Sequence, residues 1–165
     1  MPTESEIAIE RAAVVAEAEA WLGTPFHHEA RVKGAGVDCA QLLAGVYHNA
    51  GLIPNLNISH YPHDWHMHRD AERYLATVFQ YAVEVQGLED RTPLPGDIVV
   101  FRFGRTFSHG AIVTAWPMVI HAYVGKAVSA EDVSTSAYLQ TIGENTADKG
   151  HPRPMRVFIL KRWAE

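Results

Sequence analysis

Three residues of this 165-residue chain have the types that nucleophilic chemistry needs: Cys39, His109 and His121. Cys39 is the only cysteine, and it lies in Gly34-Ala35-Gly36-Val37-Asp38-Cys39-Ala40-Gln41-Leu42-Leu43-Ala44-Gly45-Val46-Tyr47. Gly34 and Gly36, before Asp38, permit a sharp turn, and the apolar residues from Leu42 to Val46 recur at helical spacing. The cysteine therefore falls in the first turn of a helix, where unpaired backbone N–H groups and the helix dipole favour an anion and lower a thiol's pKa. A thiolate is the expected species. A lone cysteine in such a place is also compatible with a small apolar residue packed under its helix; the glycine turn and the histidines favour the nucleophile.

His109 and His121 are equally far from Ala115 along the chain, so a hairpin turning there sets the two imidazoles directly opposite one another on one face. One ring can then act as base for the thiol and as acid for a leaving amine, while the other fixes its orientation and tautomer. Taken singly, each is equally a strand-end or half-buried histidine, and the pairing depends on the register of the turn.

The elements that must position these residues follow from the pattern of apolar positions. Ser5 to Leu22 reads as an amphipathic helix ended by Gly23-Thr24-Pro25, and Phe26 to Lys33 as a loop carrying His27 and His28 into the cysteine turn. The cysteine helix should end near Asn49-Ala50-Gly51. His60, His63, His66 and His68 follow, interleaved with Tyr61, Pro62 and Trp65. Imidazoles in such number could ligate a metal, but the proline and the lack of a helical register favour a partly exposed loop with aromatic anchors. A second amphipathic helix is expected over Arg69 to Val85. Strands are expected over Ile98–Phe101, His109–Val113, Met118–Val124, Ala127–Ala130 and Arg156–Trp163, with a loop from Phe103 to Ser108. Glu131 to Pro154 is polar and holds at most a short helix near Ala137 to Thr141. Helices first and close-spaced strands afterwards predict one α+β domain, residues 1–165, with helices packed on an antiparallel sheet.

Composition narrows the function classes. The formal charge of −5 and the absence of a Lys/Arg run argue against nucleic acid as a partner. One cysteine excludes an internal disulfide and a multi-thiolate zinc site. No apolar run approaches the roughly twenty residues of a membrane helix, so membrane insertion is not expected. Glu4, Glu6, Glu10, Glu17 and Glu19 stand where a signal peptide would be basic and then apolar, so a chain made in the cytosol with no export signal of its own is expected.

Gly23-Thr24-Pro25-Phe26, Val37-Asp38-Cys39, Leu94-Pro95-Gly96-Asp97-Ile98-Val99-Val100-Phe101, Ser108-His109-Gly110-Ala111-Ile112-Val113 and Val119-Ile120-His121-Ala122 together resemble the NlpC/P60 family of cell-wall cysteine peptidases. Within it they are most similar to the tail-associated branch of phages, prophages and phage-like gene transfer agents. The resemblance implies a papain-like fold and cleavage of peptidoglycan stem peptides, usually between γ-D-glutamate and diaminopimelate, without a cofactor. It implies Cys39 as nucleophile, His109 as base, His121 as the orienting residue, and Asp38, Phe26, His28 and Ser108 as substrate contacts. It further implies tail or baseplate partners and a virion-borne enzyme acting in the cell wall or periplasm. The chain departs from the family pattern at Phe26, often Tyr, and at Ala40-Gln41, often Ser-Gly. These departures remove two of the three groups that recognise a free N-terminal alanine and leave Asp38. A tail hub or assembly protein that uses the fold as a binding module is the rival reading. A papain-like acyltransferase is a weaker third, since no membrane-binding stretch is visible.

Overall fold

The computed structural model describes residues 1–58, 72–86, 91–140 and 153–164. Helix α1 (Glu4–Ala20) starts at a capping box: Thr3 Oγ1 accepts from the Glu6 N–H at 3.2 Å, and the Glu6 carboxylate accepts from the Thr3 N–H at 2.7 Å. It ends at Trp21, two residues before Gly23, whose φ of +84° suits only glycine without strain. A two-residue hairpin of β1 (Arg31–Val32) and β2 (Gly36–Val37) then feeds directly into α2 (Cys39–Asn49), which is buried continuously from Cys39 to Tyr47. Helix α3 (Glu72–Tyr81) continues without a break into strand β3 (Ala82–Glu84). The remaining strands are β4 (Ile98–Phe103), β5 (Thr106–Ala115), β6 (Met118–His121), β7 (Ser129–Asp132) and β8 (Met155–Leu160), with a 3₁₀ turn at Lys161–Trp163.

The six strands from β3 to β8 form one sheet in the order β3-β8-β4-β5-β6-β7, with every neighbouring pair antiparallel. The α+β class with helices on an antiparallel sheet is thus the one the sequence predicts. Side chains alternate between two cores. Ile98, Val100, Ile112, Ile120, Phe158 and Leu160 face α1, α2 and α3, while Val99, Phe101, Ala111, Val113, Val119 and Val157 face a second cluster completed by Val133 and Leu139. Burial on both faces explains why Ile98-Val99-Val100-Phe101 is apolar without alternation.

Where α1 meets the start of β4, the buried Asp97 carboxylate is fully engaged. It accepts from Arg11 at 2.7 Å, from Arg91 at 2.9 Å and from the Leu94 N–H at 2.9 Å. Tyr47 Oη on α2 donates to the neighbouring Gly96 carbonyl at 2.7 Å. Among the described residues, no helix is long and apolar enough to cross a membrane.

Several boundaries differ from expectation. The second helix stops at Tyr81, because Ala82-Val83-Glu84 pairs with Leu160-Ile159-Phe158 and the sheet takes those residues from the helix. The expected loop from Phe103 to Ser108 shrinks to a turn at Gly104-Arg105, since β4 and β5 stay paired to Phe103 and Thr106. Strand β6 ends at His121 rather than Val124, β7 begins at Ser129, and β8 gives way to the 3₁₀ turn after Leu160. The described part of Ala137 to Thr141 forms turns and no helix.

Candidate active site

The thiol is placed by the start of α2. Asp38 is the N-cap: its Oδ1 accepts from the Gln41 N–H at 2.9 Å and its Oδ2 from the Glu29 N–H at 2.8 Å. Glu29 has a φ of +60°, unusual without glycine, and the Asp38 bond pins that turn of the loop to the helix. Gln41 extends the anchoring, since its Nε2 donates to the Ile58 carbonyl at 2.6 Å and its Oε1 accepts from Arg31 Nε at 2.8 Å. Cys39, 9% exposed, then rests against β5: Sγ donates to the Ser108 carbonyl at 3.8 Å, and the N–H groups of Gly110, Ala40 and Cys39 itself reach the sulfur.

The expected thiolate is not the resting species. Burial first, and the Asp38 carboxylate second, push the Cys39 thiol well above its ordinary range, against the smaller opposing pull of the three amides. The free protein therefore holds a protonated thiol.

His109 sits between the two residues that touch the sulfur. The pairing of β4 with β5 skips Ser108, since Phe101 faces His109 and Arg102 faces Phe107. Such a bulge re-aims the neighbouring side chains. Gly110 leaves room at its position, because a Cβ there would lie 1.9 Å from Tyr74 Oη and 2.9 Å from Leu43 Cδ2 and would displace those side chains. The glycine thus lets α2 and α3 close on β5 beside the histidine.

The two histidines meet: His109 Nε2 lies 2.8 Å from His121 Nδ1, with the rings 5.0 Å apart and nearly perpendicular. They are not directly opposite, as expected. Ile112 pairs with Ile120 and Val113 with Val119, so the hairpin centres on Trp116 rather than Ala115. Continuing that register puts His121 across from Ala111, and His109 becomes its diagonal neighbour on the same face. His121 thus occupies Nε2 of His109 and leaves its Nδ1.

Sequence reasoning missed the enclosure of this dyad. Phe103 stands 5.0 Å and Tyr123 5.8 Å from the His109 ring, and Tyr138 stands 6.5 Å from the His121 ring. Arg153 lies 3.9 Å over Phe103 and Lys126 lies 4.3 Å over Tyr138. These residues come from the end of β4 and from the two connections that flank β7, and no spacing along the chain signals their convergence. Burial, then His121 and Arg153, hold His109 well below the usual histidine range. Burial brings His121 down to about 4, with Glu131 opposing and Lys126 reinforcing the shift. Both rings are neutral near pH 7.

The other expected contacts are distributed around the thiol. Phe26 is half-buried against the helix-side core, and its N–H donates to the Lys126 carbonyl at 3.2 Å. His28 Nδ1 is 3.8 Å from Asp38 Oδ2. Ser108 meets the sulfur through its carbonyl, while its hydroxyl donates to the Thr106 carbonyl at 3.5 Å. His60, His63, His66 and His68 lie outside the described residues, among which no group of three or more His, Cys, Asp and Glu could hold a metal ion. Ala40 and Tyr74 also line a partly open, largely apolar pocket between α2 and α3.

A cysteine opening a helix against a sheet whose strands carry two bonded histidines defines a papain-like architecture. Residues 23–145 match the NlpC/P60 family. The chain belongs to that family, whose members are cysteine peptidases and related hydrolases. The fold is similar to that of NlpC1 from Trichomonas vaginalis, with a TM-score of 0.58 at 18% identity over 90% of this chain and 43% of that one. It is similar also to an NlpC/P60 family protein from Bacillus cereus, with a TM-score of 0.54 at 17% identity over 78% of this chain and 36% of that one. A Staphylococcus aureus protein similar to lipoproteins, of the NLP/P60 family, gives 0.52 at 19% identity over 90% and 41%. The chain spans less than half the length of each. No curated protein sequence matches it significantly.

Proposed function

We propose that the protein is a peptidoglycan endopeptidase that hydrolyses stem-peptide amide bonds, with γ-D-glutamyl-diaminopimelate as the bond cut, by a Cys39-His109-His121 mechanism. The observation that carries this reading is the contact of the Cys39 sulfur with the backbone on both sides of His109, whose ring is held at 2.8 Å by His121. As the substrate carbonyl reaches Sγ, His109 Nδ1 takes the thiol proton and the sulfur attacks the carbonyl carbon. The N–H groups at the start of α2 face the developing oxyanion. The tetrahedral adduct then collapses, His109 returns the proton to the leaving nitrogen, and water hydrolyses the thioester with His109 again as base. His121 accepts from His109 Nε2 throughout and stabilises the imidazolium. Arg153, stacked over Phe103 beside His109, supplies positive charge for substrate carboxylates.

Asp38 bears on substrate choice. Both of its oxygens already accept backbone N–H bonds, and the residue is only 2% exposed. Gln41 is likewise engaged through both ends of its amide. These bonds support a site that does not demand a free alanine ammonium and so accepts stems still attached to glycan. The motif resemblance supports delivery of the enzyme to the wall in a phage-like tail.

Digestion of purified sacculi by the wild type and by Cys39→Ala, with mass spectrometry of the released muropeptides, tests the reading. A new γ-D-glutamyl terminus and a new diaminopimelate amine are expected with the wild type alone. Equal release by the variant would overturn it. Comparing glycan-linked stems with the free tripeptide tests the substrate preference, and a strong preference for the free peptide would reject it. The low exposure of the protonated thiol favours the rival binding module; sacculus binding without any cleavage is the result that module predicts.

A further inference from the structure

The bond between His109 Nε2 and His121 Nδ1 contains one proton, and two neutral arrangements supply it. In one, His121 donates from Nδ1, so His109 carries its own proton on Nδ1 and cannot accept another from the thiol. In the other, His109 donates from Nε2, its Nδ1 lone pair is open, and His121 carries its proton on Nε2. Only the second is productive. Yet His121 is 0% exposed and its Nε2 is buried with no hydrogen-bond partner among the described residues. A buried N–H without an acceptor is disfavoured, so the productive tautomer needs support from elsewhere.

Strand β7 supplies it. His121 pairs with Ser129 and Val119 with Glu131, so these four residues share one face of the sheet, the face on which Val119 enters the second core. Glu131 is therefore the diagonal neighbour of His121, at a spacing of roughly 7–8 Å that long side chains bridge. Its Oε1 is fixed by Lys126 Nζ at 2.5 Å and by Ser129 Oγ at 3.3 Å. Among the described residues, the other charged or titratable groups around the dyad are Cys39 beside His109, Lys126 and Tyr123 beyond β6, Tyr138 beyond β7, and Arg153 before β8. Of all these, Glu131 alone has a carboxylate. Burial works against its ionisation, but the bond and charge of Lys126 keep its carboxyl below the ordinary range.

We propose that Glu131 is the positioning residue of the dyad: its negative charge, through space or one bridging water, holds the His121 proton on Nε2. Nδ1 is thereby kept as the acceptor for His109, and His109 Nδ1 stays open to the thiol proton. Lys126 and Ser129 both bond the carboxylate, so Ser129 still holds it on this face when Lys126 is replaced. The inference rests on the catalytic reading above, so its test reads the tautomer itself.

The experiment is nitrogen NMR on the full chain with labelled histidine, in the wild type, Glu131→Gln, Glu131→Asp and Lys126→Met. His121 is expected as the Nε2–H tautomer in the wild type, with a shift towards Nδ1–H in Glu131→Gln and recovery in Glu131→Asp. Lys126→Met retains the carboxylate and should retain Nε2–H. On sacculi, Glu131→Gln should lower kcat roughly tenfold with KM unchanged, as for other groups that orient a working histidine. The same tautomer in wild type and Glu131→Gln would overturn the proposal, as would a shift of equal size in Lys126→Met, which would assign the ring to packing rather than charge. If the tautomer moves with Glu131 but no variant or wild type cuts sacculi, the positioning role stands and the endopeptidase reading falls.

Discussion

Where α1 meets β4, Asp97 is a buried carboxylate with two arginines and a backbone N–H bound to it; on the opposite side of the sheet, His121 is a buried imidazole with one nitrogen bound and one not. Both are shielded from water, but only the first has all its polar capacity answered. Buried polar groups are normally satisfied, and an exception calls for an explanation. Here Asp97 obeys the rule, while His121 departs from it beside a histidine that flanks the protonated thiol. On the function proposed above, the contrast separates what holds the fold from what is held ready for chemistry.

The sharpest way to break that contrast is at the sulfur. Cys39→Ala removes little volume, so thermal unfolding should barely move while sacculus hydrolysis falls by roughly 10⁴ or more; hydrolysis that persists would place the nucleophile elsewhere. Asp97→Ala should do the reverse. Stranding Arg11 and Arg91 should lower unfolding free energy in urea by roughly 3 kcal/mol, with kcat per folded molecule unchanged. A cost no larger than that of a surface substitution would show that the Asp97 cluster is not a structural anchor.

The pH dependence of stability sharpens the comparison. Both histidines have depressed pKa values in the folded state, so between the ordinary value of 6.5 and their folded values the unfolded chain binds protons that the native state refuses. Stability should therefore be full above pH 6.5 and decline below it. With His121 at about 4, its share is roughly 3 kcal/mol by pH 4. The difference in melting temperature between wild type and His121→Asn, followed from pH 7 to pH 4, isolates this share from that of the carboxylates, and parallel curves would refute it. Smallest is the effect of His121 on turnover: His121→Ala should lower kcat roughly tenfold, and Asn or Gln should retain more because each still accepts from His109 Nε2. Equal losses in all three would make His121 purely structural.

Much of this arrangement is written in short-range pattern. Glycines, a capping aspartate and a helical stripe set Cys39 at the start of α2, and apolar runs locate β4 and β5. The histidine pairing was legible for a reason that tolerates error. Moving a hairpin centre from Ala115 to Trp116 changes the cross-strand partner by two residues, so the face is preserved and an opposite pair becomes a diagonal one. What escaped is whatever depends on distant chain segments. The edge strand β3 exists only because β8 is there to pair with it, and the bulge at Ser108 shows only in the register with β4. The gathering of Phe103, Tyr123 and Tyr138 has no local sign. The state of the thiol was misjudged for the same reason: helix position lowers a pKa locally, while burial and Asp38 raise it, and the depth of burial is a tertiary property.

The protonated sulfur of Cys39 has a consequence for the chemical endurance of the protein. Peroxide and other electrophiles consume thiolates far faster than thiols, and exposed sulfur faster than sheltered sulfur. A side chain that is 9% exposed and protonated at neutral pH is spared on both counts. The only sulfhydryl is thus sheltered at rest, and under the mechanism proposed above it becomes vulnerable only in the interval when a bound substrate draws the proton onto His109.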